Sequence, residues 1–146
     1  MLSATARYAL RALSHLAADP DRGLRGRELA SETGVPANYL SKLLLTLGNA
    51  GIIEASRGIG GGYRLARKPE QIPVAEVVEL FDKEITNPPC LLGLREVCSD
   101  EDPCCAHASW RTAKLAYLEF LHGTTLADIS PVQAGRRGRV SRAGRR

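Results

Sequence analysis

Beginning at Ser3, the apolar residues Ala6, Leu10, Leu13 and Leu16 return at the three-to-four-residue spacing of one helix face, with Ala9, Ala12 and Ala17 beside them. Ser3 or Thr5 is placed to cap the start of that helix, and Asp19-Pro20-Asp21 stops it. A short amphipathic run over residues 27–33 follows and ends at Gly34. A second run, starting near Pro36 or Asn38 and ending at Gly48 or Gly51, sets Tyr39, Leu40, Leu43, Leu44 and Leu47 on one side. Two short helices joined by a tight glycine-containing turn make a helix-turn-helix. Residues 52–56 and 63–66 then read as strands about a turn over 57–62, a small β-hairpin or wing. Pro73 suits the first turn of a helix whose apolar face is Val74, Val77, Val78 and Phe81, broken at Asn87-Pro88-Pro89. A loop over residues 90–103 leads into a last helix over 104–122, which carries Trp110, Ala113, Tyr117, Leu118 and Leu121 along one side. The fold class is mainly α with a small β-hairpin.

A helix-turn-helix followed directly by a glycine-rich hairpin is the order of a winged helix, whose second helix enters the major groove of DNA while the wing touches the neighbouring groove or backbone. The outer side of that helix offers Asn38, Ser41, Lys42 and Thr46, donors and acceptors that suit base edges. The wing offers Arg57, and Gly58, Gly60 and Gly61 permit close approach to phosphate. The same glycines lack the Lys-Ser/Thr of a phosphate loop and lead into a strand, so a tight turn is the better reading. Charge sharpens the picture. The net +4 conceals ten Lys/Arg against five Asp/Glu in residues 1–68, four against eleven in 69–130, and six Arg with no acid in 131–146. A basic first part joined to an acidic middle suggests that one face meets a polyanion. The last segment has too little apolar surface to offset ordering entropy and is expected to be a disordered Arg-rich tail. With 44% hydrophobic and 25% charged residues, the 146-residue chain has enough apolar content for a core. No apolar run nears the roughly 18 residues of a membrane span, and the start lacks the features of an export signal, so a soluble, cytoplasmic protein is expected.

The chemistry concentrates in one stretch. All four cysteines, Cys90, Cys98, Cys104 and Cys105, and one of only three histidines, His107, lie within residues 90–107. Cytosolic thiols stay reduced, which points to metal rather than to a disulfide framework. Cys104 and His107 are three apart, on one face of the expected helix start, where the amide dipole favours thiolate. Soft thiolates with one imidazole suit an iron-sulfur cluster or zinc, although the spacing is looser than the paired Cys-x-x-Cys of a structural zinc site. Asp100, Glu101 and Asp102 read as a solvated loop, and Tyr8, Trp110 and Tyr117 as core or dimer contacts. His15 and His122 read as solvent-facing or helix-capping. No Ser/His/Asp or Cys/His constellation stands out, so an enzyme is not expected.

These residues resemble a known family. Arg7-Tyr8-Ala9-Leu10-Arg11-Ala12-Leu13, Tyr39-Leu40, Arg57-Gly58, Gly60-Gly61-Gly62-Tyr63 and the series Cys98, Cys104, His107, Trp110 are similar to the Rrf2 family of bacterial winged-helix regulators, above all its iron-sulfur cluster regulators. The resemblance covers about residues 1–130. It implies a homodimer paired through the long carboxy-terminal helix, with each winged helix on a half-site of double-stranded promoter DNA. It divides the chain into a DNA-binding unit over residues 1–68, a linker helix, cluster loop and dimerisation helix over 69–130, and the tail over 131–146. It implies a [2Fe-2S] cluster on Cys90, Cys98, Cys104 and His107, with Cys105 as a substitute ligand, and DNA contacts from Asn38, Tyr39, Ser41, Lys42, Arg57, Gly58, Gly60 and Gly61. Nitric-oxide-sensing members take a carboxylate ligand near position 8, where this chain has Tyr8, which sets a [4Fe-4S] cluster second. The expected function is a transcriptional regulator that senses iron-sulfur supply, redox state or nitric oxide. The alternatives are a zinc-stabilised DNA-binding or interaction module without a sensing role, and a redox enzyme or electron carrier.

Overall fold

The computed structural model describes residues 2–85, 88–96 and 98–131. Ser3 starts the first helix, α1 (Ala4–Ala18): its hydroxyl oxygen accepts the Ala6 N–H at 3.1 Å, satisfying one of the free donors of the first turn. The row Ala6, Ala9, Ala12, Leu13, Leu16 and Ala17 is buried, and the alanines in it let neighbouring helices approach closely. α2 (Gly26–Thr33) stops at Gly34, whose φ of +69° is the left-handed conformation that glycine adopts without strain. α3 (Ala37–Asn49) follows and buries Leu40, Leu43, Leu44 and Leu47 against α1 and α2.

The hairpin pairs β1 (Ile53–Ser56) with β2 (Gly62–Leu65) antiparallel, in a register that runs from Ile53 opposite Leu65 to Ser56 opposite Gly62. Leu24, just before α2, extends this ribbon on its other edge. Its N–H donates to the Tyr63 carbonyl at 3.0 Å, and the Tyr63 N–H donates back at 2.7 Å. The approach is so close that a Cβ on Gly62 would lie 2.6 Å from the Leu24 carbonyl carbon, and Gly62 also has φ +128°. The wing is thereby fastened to the entrance of α2.

Pro73 caps α4 (Val74–Phe81) rather than lying in its first turn. The helix ends at Phe81, earlier than the break expected at residues 87–89. Asp82 leaves helical geometry at φ −130°, its N–H closing on the Val78 carbonyl while its carboxylate accepts the Ser3 N–H at 2.8 Å. Asn87 lies outside the described residues. The last helix, α5 (His107–Gly123), begins three residues later than expected, because Cys104 sits in the preceding turn with its carbonyl accepting the His107 N–H at 3.0 Å. Along the side of α5 expected to be apolar, Leu121 is buried, Trp110, Tyr117 and Leu118 are half-buried, and Ala113 is exposed.

After α5 the chain turns back beside residues 72–74. The Val74 N–H donates to the Thr124 carbonyl at 2.8 Å and the Leu126 N–H to the Ile72 carbonyl at 3.0 Å. Leu126 enters the same core as the helix-turn-helix leucines, while Leu121 joins a smaller cluster with Val74, Ala75 and Val78. The segment just after α5 is therefore part of the helix-turn-helix core, while the carboxy-terminal end of α5 itself packs on α4. Among the described residues no helix is long and apolar enough to cross a membrane. Residues 132–146, nearly all of the expected tail, lie outside the described residues.

Leu126 is fully buried, so Leu126→Ala is expected to cost about 2–5 kcal/mol in urea unfolding. Leu45→Ala, at a position 67% exposed, should stay within about 0.5 kcal/mol.

Candidate metal centre and nucleic-acid interface

The segment entering the cysteine loop is tied to α5 by backbone carbonyls. Pro89 accepts the Trp110 indole N–H at 3.0 Å and Pro88 accepts the Lys114 ammonium at 3.2 Å. The Cys90 carbonyl takes the Gly93 N–H at 3.0 Å, with Gly93 at φ +64°, which turns the chain. Further on, Arg95 binds both the carboxylate and the backbone carbonyl of Asp102, and Ser99 Oγ accepts the Asp102 N–H at 3.2 Å. The loop so folded back on itself brings the Sγ atoms of Cys90, Cys98 and Cys104 within 4.8 Å of one another. Cys90 and Cys98 are buried, and Cys90 donates its S–H to Cys104 at 3.7 Å. All four cysteines are free thiols.

The three sulfurs are not equivalent. The backbone N–H of Leu92 pulls the Cys90 pKa down to about 7 against the effect of burial, helped by Leu94 N–H and by the neighbouring thiols. Cys98 moves the other way. The Cys104 N–H favours its thiolate, but the Cys104 side chain, burial and the Cys90 side chain together raise its pKa. Cys90 therefore takes up charge more readily than Cys98.

His107 and Cys105 stand apart from this trio. His107 is 9% exposed, with its Nε2 2.9 Å from Asp100 Oδ1; Arg111 Nε is 3.6 Å from the same oxygen. His107 first and Arg111 second hold the Asp100 carboxyl below its ordinary value. Cys105 is exposed. Asp100, read from the sequence as a solvated loop acid, is thus the partner of the buried imidazole. Six residues of irregular loop separate the two, so no periodic signal could have paired them. Because Cys104 precedes the helix rather than opening it, the helix-dipole argument for its thiolate does not apply. What brings Cys104 to its neighbours is the loop closure.

The open face of α3 presents Asn38, Tyr39, Ser41 and Lys42, all exposed, while Thr46 is half-buried. Ser41 donates its O–H to the Ala37 carbonyl at 3.0 Å, leaving its oxygen lone pairs outward as acceptors. Tyr39 packs edge-on against Tyr8 with ring centroids 5.7 Å apart, and the Arg11 guanidinium lies 5.6 Å from the Tyr8 ring centre. Tyr8 thus supports the α3 face. At the other end of this surface Arg57, Gly58, Ile59 and Gly60 form the exposed wing tip, with Gly61 half-buried beneath. A Cβ on Gly61 would lie 2.5 Å from the Ser56 carbonyl oxygen, so the turn has no room for a side chain there.

The family model described as an iron-dependent transcriptional regulator, Rrf2, matches residues 2–131. The chain belongs to the Rrf2 family. Among its relatives, the regulator IscR of Aliivibrio salmonicida is 30% identical over 88% of this chain and 76% of its own length. The regulator NsrR of Bacillus subtilis is 33% identical over 84% of each chain. The solved structure of CymR, the global cysteine regulator of B. subtilis, superposes with a TM-score of 0.75 at 29% identity, covering 89% of this chain and 95% of that one. The protein is accordingly a transcriptional regulator of winged-helix fold and not an enzyme. In this Rrf2 member, the three thiols lie in the loop before α5 and at its amino-terminal end, far in sequence from α1–α3 and the hairpin.

In metal-free, reduced protein, thiolate absorbance near 240 nm should first rise around pH 7. Cys90→Ser should remove this first step. An unchanged curve would contradict the assignment of the lowered group.

Proposed function

We propose that this Rrf2 regulator binds promoter DNA as a homodimer and is governed by an iron-sulfur cluster held in the loop before α5, so that it reports iron-sulfur supply, redox state or nitric oxide. The observation that carries the reading is the convergence of three free thiols within 4.8 Å, two of them buried, in a loop clamped to a helix that packs on α4 and leads directly into Leu126 of the helix-turn-helix core. Thiolates are the ligands that iron-sulfur clusters take, and three lie one short of a complete set. His107 and Cys105 are the two candidates for the fourth. His107 is the better supported, because Asp100 fixes its ring as a carboxylate fixes a ligating imidazole elsewhere. [2Fe-2S] is the preferred cluster and [4Fe-4S] the second choice. When bound, such a cluster supplies redox chemistry and reactivity toward small oxidants.

What the chain itself does follows from its contacts. Cys90, Cys98 and Cys104 grip from three points along a 15-residue loop span, so their separation sets the loop's shape. Pro88 and Pro89 carry that shape to Lys114 and Trp110 on α5. α5, about 25 Å long at 1.5 Å per residue, ends on Leu121 and on the backbone pairing of residues 72–74 with 124–126. Its exposed Leu115 and Phe120, 54% and 52% accessible, suit a helix-to-helix contact with a second copy. A change of loop shape would thereby move one winged helix relative to its mate, a coupling through differential contacts in two states. Asn38, Tyr39, Ser41 and Lys42 would read the major groove, and Arg57 with Gly58, Gly60 and Gly61 the neighbouring backbone or minor groove. A cytoplasmic location accords with reduced thiols.

Protein purified without oxygen is expected to be coloured, with visible thiolate-to-iron absorption. Cys98→Ala and Cys104→Ala should each lose the colour while keeping the wild-type far-ultraviolet circular dichroism. A colourless wild type holding one zinc ion would instead establish the zinc-stabilised module, and an unaltered spectrum in either variant would refute the ligand set. On promoter duplexes selected in vitro, Arg57→Ala should weaken binding about tenfold or more, in the range of one lost base-edge or phosphate contact, with the colour intact. Full affinity in that titration would remove the wing from the interface.

A further inference from the structure

A cleft of about 330 Å³ opens between the start of α2 and the flank of the wing, lined among others by Arg25, Ser56, Arg57, Gly58, Gly61 and Tyr63. Its two walls come from segments more than thirty residues apart in sequence. They meet because the two hydrogen bonds between Leu24 and Tyr63 hold the residue before Arg25 against β2. Arg25 and Arg57 are both exposed, and neither guanidinium is matched to a carboxylate among the described residues. The acid closest in sequence, Glu28, is turned onto the Arg25 backbone N–H at 2.8 Å and does not line the cleft. On the wing side Gly58, Gly61 and Gly62 leave part of the wall as bare backbone, and Gly61 has no space for a Cβ. Two guanidinium-bearing residues without a carboxylate partner line one glycine-walled opening, and the Ser56 hydroxyl that also lines it accepts from the Arg64 guanidinium at 3.4 Å, so the cleft is lined by donors suited to a tetrahedral oxyanion.

We propose that this cleft seats one backbone phosphate of the bound DNA, held by Arg25 from α2 and by Arg57 from the wing. The inference rests on the DNA-binding reading above and adds to it a residue, Arg25, that no motif singles out. Its position is suited to the task. The cleft lies between α2 and the wing tip, and a phosphate fixed there would set how deep the wing and α3 reach. Such a contact carries no sequence information; it fixes register and supplies salt-dependent affinity.

The test uses the full-length protein and a labelled mixed-sequence duplex about 30 base pairs long, three helical turns, titrated across a range of salt. Arg25→Ala should lower the magnitude of the slope of log K against log salt by up to about 1 per protomer and weaken all duplex sequences by the same factor. Arg25→Lys should restore most of the slope, and Arg27→Ala, two residues further along and outside the cleft, should leave it unchanged. The Arg25→Ala and Arg57→Ala losses should combine in the double variant to less than their sum, as two groups on one phosphate require. Additive losses, or a wild-type slope in Arg25→Ala, would overturn the proposal. Inorganic phosphate provides the second arm, by 31P line broadening. If it binds through Arg25 while the DNA slope does not change, the cleft takes a free anion and the DNA assignment falls. A wild type that binds duplex with no salt dependence would overturn the phosphate proposal, and a wild type that binds no duplex even at low salt would instead mean that the DNA-binding reading itself has failed.

Discussion

Three thiolates cannot share a space under 5 Å wide without something positive between them. Two unit charges about 4 Å apart repel by about 4 kcal/mol at an effective dielectric near 20, and the Sγ atoms of Cys90, Cys98 and Cys104 all lie within 4.8 Å. The chain answers with protons: Cys90 is pulled toward the thiolate by the Leu92 and Leu94 N–H groups while Cys98 is pushed away from it. A metal would replace those protons, so its binding becomes stronger as pH rises and releases protons as it occurs. The fold places this electrostatic tension at the head of α5 and spends considerable structure to keep it there. The Arg95–Asp102 pairing, the Gly93 turn and two proline carbonyls all serve to hold the loop closed.

The rest of the molecule is arranged so that this loop does not act alone. One end of α5 carries the loop contacts and the other is knitted into the winged helix through Leu121, Leu126 and the pairing of residues 72–74 with 124–126. α4 lies between α5 and α1, and Asp82 at its end binds the Ser3 N–H that opens α1. The loop is therefore joined to α1–α3 through packed helices and backbone hydrogen bonds, the route by which the proposed coupling would run. The basic first part and acidic middle of the chain follow the same division between the helix-turn-helix with its hairpin, proposed to meet DNA, and the part that carries the loop.

Much of this was legible in the sequence, because the signals were local. Apolar residues at helical spacing, a serine before the first of them, and glycines at 34 and 58–62 locate three helices and the hairpin within a residue or two. The glycine-rich wing and the cysteine series also carried the family resemblance. What the sequence did not disclose was set by contacts between distant positions. Asp82 ends α4 early because it meets Ser3, 79 residues away. Cys90 and Cys98 are buried although their loop is polar in composition, because the loop folds over them. Asp100 meets His107, and Arg25 meets the wing, only through closures that no periodicity announces. The α5 start was misjudged for a related reason: the turn at Cys104 makes a helix-like hydrogen bond without being helix.

The central claim is that the trio of thiols exists to hold inorganic iron and sulfide. The most direct measurement is elemental: full-length protein isolated under strict anoxia, analysed for iron, acid-labile sulfide and zinc, with Mössbauer spectra to identify the iron. Iron and sulfide present in equal amounts, in a form whose spectrum is that of a thiolate-bound cluster, is the result this account predicts. Protein that carries zinc alone, or no metal and no sulfide, would contradict it.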